Sequence, residues 1–182
     1  MQIRLLTSAD APRLLELYRL ATATAEGLIR EPDEITPQYI TRILALPAKG
    51  GIALGLIASD SGDLAGAIHA YPWPGIRAVR HLLTDLTIAV HPRHQGKGYG
   101  RHLFQHFLGM VESERPDILR VELYTYSTNL RNRSFYESLG FVLEGSHRGK
   151  ILDRSGALYT PISMAWFNPA FDPTAGERIT DR

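Results

Sequence analysis

The stretch from Leu86 to Phe104, L-T-I-A-V-H-P-R-H-Q-G-K-G-Y-G-R-H-L-F, leaves few options for the chain around it. It opens as a strand, because Ile88, Ala89 and Val90 form a short β-leaning apolar run stopped by Pro92. It closes as a helix, because Leu103, Phe104, Phe107, Leu108 and Val111 fall on one face at helical spacing. Between the two lies Gln95-Gly96-Lys97-Gly98-Tyr99-Gly100, with glycines at alternate positions. A glycine-rich turn that enters a helix leaves backbone N–H groups unpaired at the positive end of the helix dipole, which suits an anion. Glycine also lets a phosphate approach the backbone closely. Lys97 and Arg101 add positive charge beside that turn.

The rest of the chain frames this stretch. At 182 residues it is long enough for one domain with a sizeable core, and 44% hydrophobic with 21% charged residues is ordinary for a globular protein. A net charge of +1 gives no case for nucleic acid or an anionic membrane surface. With no cysteine, disulfides, thiolate metal sites and a cysteine nucleophile are excluded. No apolar run approaches the length of a membrane span, and the first residues lack a signal-peptide pattern, so a cytoplasmic protein is expected.

Periodicity and turn chemistry give the order β-α-α-β-β-β-α-β-α-β-β. A strand over 1–6 leads to a helix capped by Thr7 and Asp10, with Leu14, Leu15 and Tyr18 on its inner face. Thr36-Pro37 opens a second helix carrying Ile40, Ile43 and Leu44, which Pro47 ends. Strands over 51–58 and 64–70 join through Asp60-Ser61-Gly62-Asp63, and a strand over 81–90 follows the Pro72-Trp73-Pro74-Gly75 loop. Beyond the central helix come a strand over 119–126, a helix over 129–139 stopped by Gly140, a strand from Phe141, and a last strand over 158–166. The tail from Asn168 is expected to be loose or an interface arm. The expected fold class is α+β (mixed α/β), a single domain over 1–167 with a central, mixed, mostly antiparallel sheet of about seven strands flanked by helices.

The glycine stretch is neither G-x-x-x-x-G-K-[ST] nor G-x-G-x-x-G. It reads Q/R-x-x-G-x-G/A, and so resembles the pyrophosphate loop of the GNAT superfamily of acyl-CoA-dependent N-acyltransferases. A second motif, Asn129-Leu130-Arg131-Asn132-Arg133-Ser134-Phe135-Tyr136-Glu137-Ser138-Leu139-Gly140-Phe141, is similar to that superfamily's N-x-x-A-x-x-L/F-Y-x-x-x-G-F, with Asn132 in place of the usual small residue. The ending Phe141-Val142-Leu143-Glu144-Gly145, then Arg148, then Met164-Ala165, is most similar to bacterial amino-acid, polyamine and ribosomal-protein N-terminal acetyltransferases.

The resemblance implies a set of roles. Acetyl-CoA is the co-substrate, with no metal. Ile88, Ala89 and Val90 offer backbone groups to the pantetheine arm, which lies along the strand like an added one. The stretch Gln95, Gly96, Lys97, Gly98, Tyr99, Gly100 and Arg101 holds the pyrophosphate, and Asn129 bonds the cofactor near its thioester. Tyr136 donates a proton to the departing thiolate, a step that suits a phenol neutral at pH 7. The amine acceptor must lose a proton before it attacks, and Asp85 is the first candidate to assist. Thr84 stands where many members carry Glu, and Tyr124 stands at another common base position, so relayed water is an alternative to a dedicated base. The acceptor is a small amine, an amino acid or polyamine, or a protein N-terminus, and analogy implies a possible homodimer. The competing class is a non-catalytic acyl-CoA-binding sensor or partner module. Retention of Tyr136 favours chemistry, because binding alone needs no acid near the thiol.

Other features read more plainly. Glu26, Glu31, Asp33 and Glu34 are a solvated acidic loop or a selector of cationic acceptors. His91-Pro92-Arg93-His94 lacks the companions of a metal site. Tyr71 and Trp73 line an acceptor pocket or cover the core.

Overall fold

The computed structural model describes residues 1–23, 28–59, 61–153 and 155–175. Glu26 of the acidic loop, Asp60 of the turn expected after the second strand, Arg154 of the turn Asp153-Arg154-Ser155-Gly156 expected before the last strand, and residues 176–182 of the expected tail lie outside the described residues. The main sheet has seven strands in the order β1-β2-β3-β4-β5-β9-β6. The chain clusters into two units, the first holding Met1–Tyr71 and Thr87–Leu108, the second Pro72–Leu86 and the chain from Gly109.

In the first unit, β1 (Gln2–Leu5) pairs antiparallel with β2 (Ile52–Ile57), and β2 pairs antiparallel with β3 (Leu64–Pro72). β2 and β3 read as nearly continuous apolar runs because they are buried on both faces. Helices α1 (Ala11–Thr22) and α2 (Pro37–Leu44) turn Leu14, Leu17 and Tyr18, and Tyr39, Ile40 and Ile43, into one core with Ala53, Ala67 and Ala89 of the sheet. Those positions follow the i, i+3, i+4 rule, so burying them drives helix formation. Local chemistry sets the helix starts. The Thr36 hydroxyl accepts from the Tyr39 N–H at 3.2 Å, with Pro37 at the first helical position. Ahead of α1, the Asp10 carboxylate accepts from the Thr7 N–H at 2.8 Å and receives both arms of Arg4 at 2.8 Å. Arg4's hydrogen bonds hold the Asp10 carboxyl down to about 2, against the smaller opposing effect of burial.

A polar pair lies inside this core. Tyr18 Oη and His69 Nδ1 are 2.7 Å apart, and neither residue is exposed. His69 Nε2 finds no hydrogen-bond partner among the described residues. The ring stands edge-on to Tyr71, with centroids 5.1 Å apart and planes at 81°. Burial, helped by the charge of Arg30, pushes the His69 imidazole down to about 3.

In the second unit, β4 (Leu82–Val90, whose last four residues belong to the first unit) runs parallel to β5 (Arg120–Tyr126). Their register is confined to Leu82↔Arg120 and Leu83↔Val121. Strand β9 (Pro161–Phe167) pairs antiparallel with the whole of β5 on one side and with β6 (Val142–Ser146) on the other. Helix α3 (Tyr99–Glu114) contributes its C-terminal part here, and α4 (Leu130–Glu137) precedes β6. The mixed, mostly antiparallel seven-stranded sheet with helices matches the expected fold class.

Two expectations need correction. The last strand is not continuous from Leu158. β8 (Leu158–Tyr159) pairs with β7 (Ile151–Leu152) in a separate two-stranded sheet, and β9 begins at Pro161. Pro161 has no N–H and restricts Thr160, so the chain changes partner there and proline sits at the first strand position, where it is tolerated. The tail is also docked over residues 168–175. The buried Asn168 donates through Nδ2 to the Ile118 carbonyl at 2.9 Å and the Arg115 carbonyl at 3.2 Å, and its N–H bonds the Leu119 carbonyl at 2.7 Å. Carbonyls beyond a helix end lack intrahelical donors, and one amide supplies them here.

The buried imidazole makes a pH prediction. With a native value about 3 against about 6.5 unfolded, the unfolded chain binds one more proton in between, so stability falls as pH drops through that window. The expected slope is about 1.4 kcal/mol per pH unit. The stabilisation from Asp10 is present above about pH 4 and is lost as pH falls towards about 2, so it adds no slope in the window read for His69 above pH 4. Urea unfolding at pH 7, 6 and 5 checks this, and His69→Gln is expected to remove one proton's worth of slope.

Candidate active site

Strand β4 ends at Val90, and a short 3-10 turn over Pro92–His94 leads to the glycine loop. The turn is held locally. His91 Nδ1 accepts from the Arg93 N–H at 3.2 Å, and the buried His94 ring stacks on Tyr99 at 5.7 Å and 20°. Gln95 Nε2 donates to the Val90 carbonyl at 3.2 Å, so Gln95 folds the loop back on the strand. Gly96 and Gly98 have φ of +75° and +79°, the left-handed region where a side chain is strained. No atom lies within 4 Å of where a Gly96 Cβ would be, and a Gly98 Cβ would meet only His102 at 3.7 Å. Backbone conformation therefore demands these glycines, and the space outside them is open.

Helix α3 begins at Tyr99, and the His102 N–H bonds back to the Gly98 carbonyl at 3.1 Å. The N–H groups of Tyr99 and Gly100 precede that bond and have no partner within the helix. Lys97 and Arg101 are exposed beside them. Open left-handed glycines, helix-start N–H groups and two cations fit a doubly charged phosphate group. Ala89 is buried in the core of the first unit, and Ile88 and Val90 are half-buried.

The remaining expected residues lie in the second unit. Asp85 is exposed and, among the described residues, is the one non-glycine with positive φ, at +50°. Its neighbour Thr84 is buried and donates to Glu122 Oε2 at 3.3 Å, which puts Thr84 and Glu122 on one face. Asn129 is buried and caps α4, its Oδ1 accepting from the Asn132 N–H at 2.9 Å, so Nδ2 is the part of the amide with capacity to donate elsewhere. Tyr136 is buried in α4, its ring tilted against Phe141 at 6.0 Å. Burial pushes its phenol up to about 12. Among the described residues no group of three or more His, Asp or Glu could hold a metal, and no helix is long and apolar enough to cross a membrane.

The family model that matches this sequence is the acetyltransferase (GNAT) family, over residues 14–141. Those residues take in the glycine loop, Asn129 and Tyr136. The chain belongs to the GNAT family. GNAT proteins are acyl-CoA-dependent acyltransferases, and this chain is one of them. It is 24% identical over 143 residues to the L-amino acid N-acyltransferase MnaT of Escherichia coli strain K12, a match covering 79% of this chain and 80% of that enzyme. Among solved structures, the GNAT superfamily phosphinothricin acetyltransferase (Pat) of Sinorhizobium meliloti, in complex with AcCoA, superposes with a TM-score of 0.81 at 19% identity, over 96% of this chain and 94% of that one. The ribosomal-protein-S18-alanine N-acetyltransferase of Escherichia coli superposes at 0.71 with 21% identity, over 91% and 92%. At these identities the solved structures establish a shared GNAT fold.

The GNAT resemblance marks the loop, α4 and the position of Tyr124 on β5, but gives no sign of the polar side chains gathered around Tyr124. Tyr124 packs edge-on against His147 at 5.3 Å, His147 Nε2 lies 3.0 Å from Ser163 Oγ, and Lys150 Nζ sits 3.7 Å over the Tyr124 ring. His147 follows the end of β6 and Ser163 lies in β9, so only the strand order brings them to Tyr124. The backbone of Asp85 supports a test of its own. Glycine adopts φ of +50° freely, whereas a β-branched residue does not. Asp85→Gly is expected to stabilise the protein by about 1 kcal/mol and Asp85→Val to destabilise it by about that much or more, measured by urea unfolding.

Proposed function

We propose that this protein is an acetyl-CoA-dependent N-acetyltransferase in which a primary amine attacks the acetyl thioester directly. The observation that carries the reading is the glycine loop after β4, with two left-handed glycines, open space outside them, helix-start N–H groups and exposed Lys97 and Arg101. Gln95, Gly96, Lys97, Gly98, Tyr99, Gly100 and Arg101 hold the pyrophosphate, and the backbones of Ile88, Ala89 and Val90 bind the pantetheine arm. The short register between β4 and β5 supports this, since the latter part of β4 is left outside it. Asn129 donates through Nδ2 near the thioester. The named activities of the relatives, on an L-amino acid, on phosphinothricin and on a ribosomal-protein alanine, support an amine acceptor. The acceptor class is a small amine, an amino acid or polyamine, or a protein N-terminus. A homodimer in the cytoplasm completes the reading, with β6, the sheet edge bearing exposed Val142 and Leu143, available for pairing.

The cofactor supplies an acetyl group activated as a thioester. Asp85 attracts the ammonium form of the acceptor and assists its loss of a proton. Tyr136 holds the proton that the departing thiolate needs, and with its phenol near 12 it stays protonated at any working pH. Transfer from such a phenol to a thiol of about 8.5 is uphill by about 5 kcal/mol if the thiolate is fully solvated. A thiolate formed in the same dry surroundings is raised as well, which narrows the gap.

Tyr136→Phe is expected to lower turnover at least 100-fold with acetyl-CoA affinity nearly unchanged. Lost affinity with normal turnover of bound cofactor would make Tyr136 structural. Gly98→Glu is expected to abolish acetyl-CoA binding, whereas Gly98→Asn, which tolerates the left-handed backbone, keeps most of it. Calorimetry reads affinity. A thiol reagent reads CoA release across amino acids, polyamines, aminoglycosides and short peptides, against a background free of protein thiols because the chain has no cysteine. Saturable binding without release to any amine would favour the binding module.

A further inference from the structure

We propose that His147 is the group that accepts the proton from the incoming amine, with Ser163 as its positioning residue. This rests on the acetyl-transfer reading above. Strand periodicity puts Glu122, Tyr124 and Tyr126 on one face of β5, opposite the buried Val121, Leu123 and Thr125. The hydrogen bond from Thr84 to Glu122 aligns β4 with that face, Asp85 is the next residue along β4, and Tyr124 is the next along the same face of β5. His147 stands at Tyr124, ring against ring at 5.3 Å and 70°. His147 therefore stands at the face of β5 that also carries Glu122, the residue to which Thr84, next to Asp85, donates.

The ring is held in place. The His147 N–H donates to the Pro161 carbonyl at 2.9 Å, and its own carbonyl accepts from the Lys150 N–H at 3.2 Å. Nε2 lies 3.0 Å from Ser163 Oγ, and Ser163 is the register partner of Tyr124. In the tautomer that donates Nε2–H to the Ser163 oxygen, the ring's lone pair stands on Nδ1. An imidazole is the ordinary side chain suited to taking up and releasing a proton near neutral pH. The groups facing it are Tyr124 from β5, Ser163 from β9 and, from its own segment, Lys150 above the Tyr124 ring.

The step balances as follows. The acceptor ammonium gives one proton to His147 Nδ1. The freed nitrogen lone pair then forms the C–N bond to the thioester carbonyl carbon, and the C–S bond breaks. Of the two protons the nitrogen loses, one leaves through His147 to solvent, and the other ends on the CoA sulfur by way of Tyr136. Asp85 assists that loss by attracting the ammonium, and His147 receives the proton.

The test uses the full chain with acetyl-CoA and, separately, L-alanine, L-alaninamide and spermidine. His147→Gln is expected to lower kcat/KM for the accepted amine about 100-fold at pH 7, with acetyl-CoA affinity within twofold of the parent. The deficit is expected to shrink about tenfold per pH unit up to the amine's own pKa, because solution then supplies neutral amine. Added imidazole is expected to restore part of the rate. Ser163→Ala is expected to shift the pH profile while leaving the high-pH plateau in place, and Asp85→Asn to raise the acceptor KM. A His147→Gln variant with the parent's rate and pH profile overturns the assignment, as does the same pH signature in Asp85→Asn alone. Saturable acetyl-CoA binding with no release to any of the three amines also overturns it. No acetyl-CoA binding by the parent protein brings down the acetyl-transfer reading itself.

Discussion

Strand β4 carries a conformational constraint on which its surroundings depend. Its parallel pairing with β5 stops at Leu83, and two residues on Asp85 takes a left-handed backbone that costs on the order of 1 kcal/mol in a non-glycine residue. The regular alternation of a strand fails around that point, with Leu82, Leu83 and Thr84 all buried and Asp85 exposed. A strand in the middle of a sheet order would ordinarily be paired along its length. Here most of β4 is outside the β5 register, and the short turn after its end leads into the glycine loop. The proposed site is built around this break in the pairing of β4.

The groups proposed for chemistry divide by how they are held. Tyr136 and Asn129 are buried, and Asn129 also serves as a helix cap, so its substitution disturbs structure, whereas Tyr136→Phe keeps the ring. Asp85, Lys97 and Arg101 are exposed, and the glycines between them have open space where a side chain would go. Tyr18 and His69 are the contrasting case. They are as buried as any core leucine, and that burial makes His69 a source of pH-dependent stability.

Most of the element order was legible because local chemistry and burial agree. Thr36-Pro37 and Asn129 announce helix starts by capping, and the i, i+4 spacing of Leu14 and Tyr18 describes a face that is in fact buried. The glycine loop was legible for a related reason, since Gly96 and Gly98 satisfy a backbone need that no other residue meets as cheaply. What was hidden depends on partners distant in the chain. Leu158–Trp166 reads as one strand until Pro161 divides it between two sheets. Asn168 reads as the start of a loose tail until the carbonyls of Arg115 and Ile118 claim its amide. His147 carries no motif signal, and only the placement of β9 beside β5 and β6 gives it Ser163 and Tyr124 as neighbours.

That placement also governs how the second unit can be assembled. β9 is made after both β5 and β6, yet it is the strand that lies between them and bonds to each. During synthesis β6 has no sheet partner until β9 arrives, and β5 has only the short contact with β4. The chain must therefore hold two unfinished edges open until its last strand emerges from the ribosome. Such late, non-local closure makes folding slow and makes incomplete chains prone to join one another, and it ties the arrival of Ser163 beside His147 to the final step of assembly.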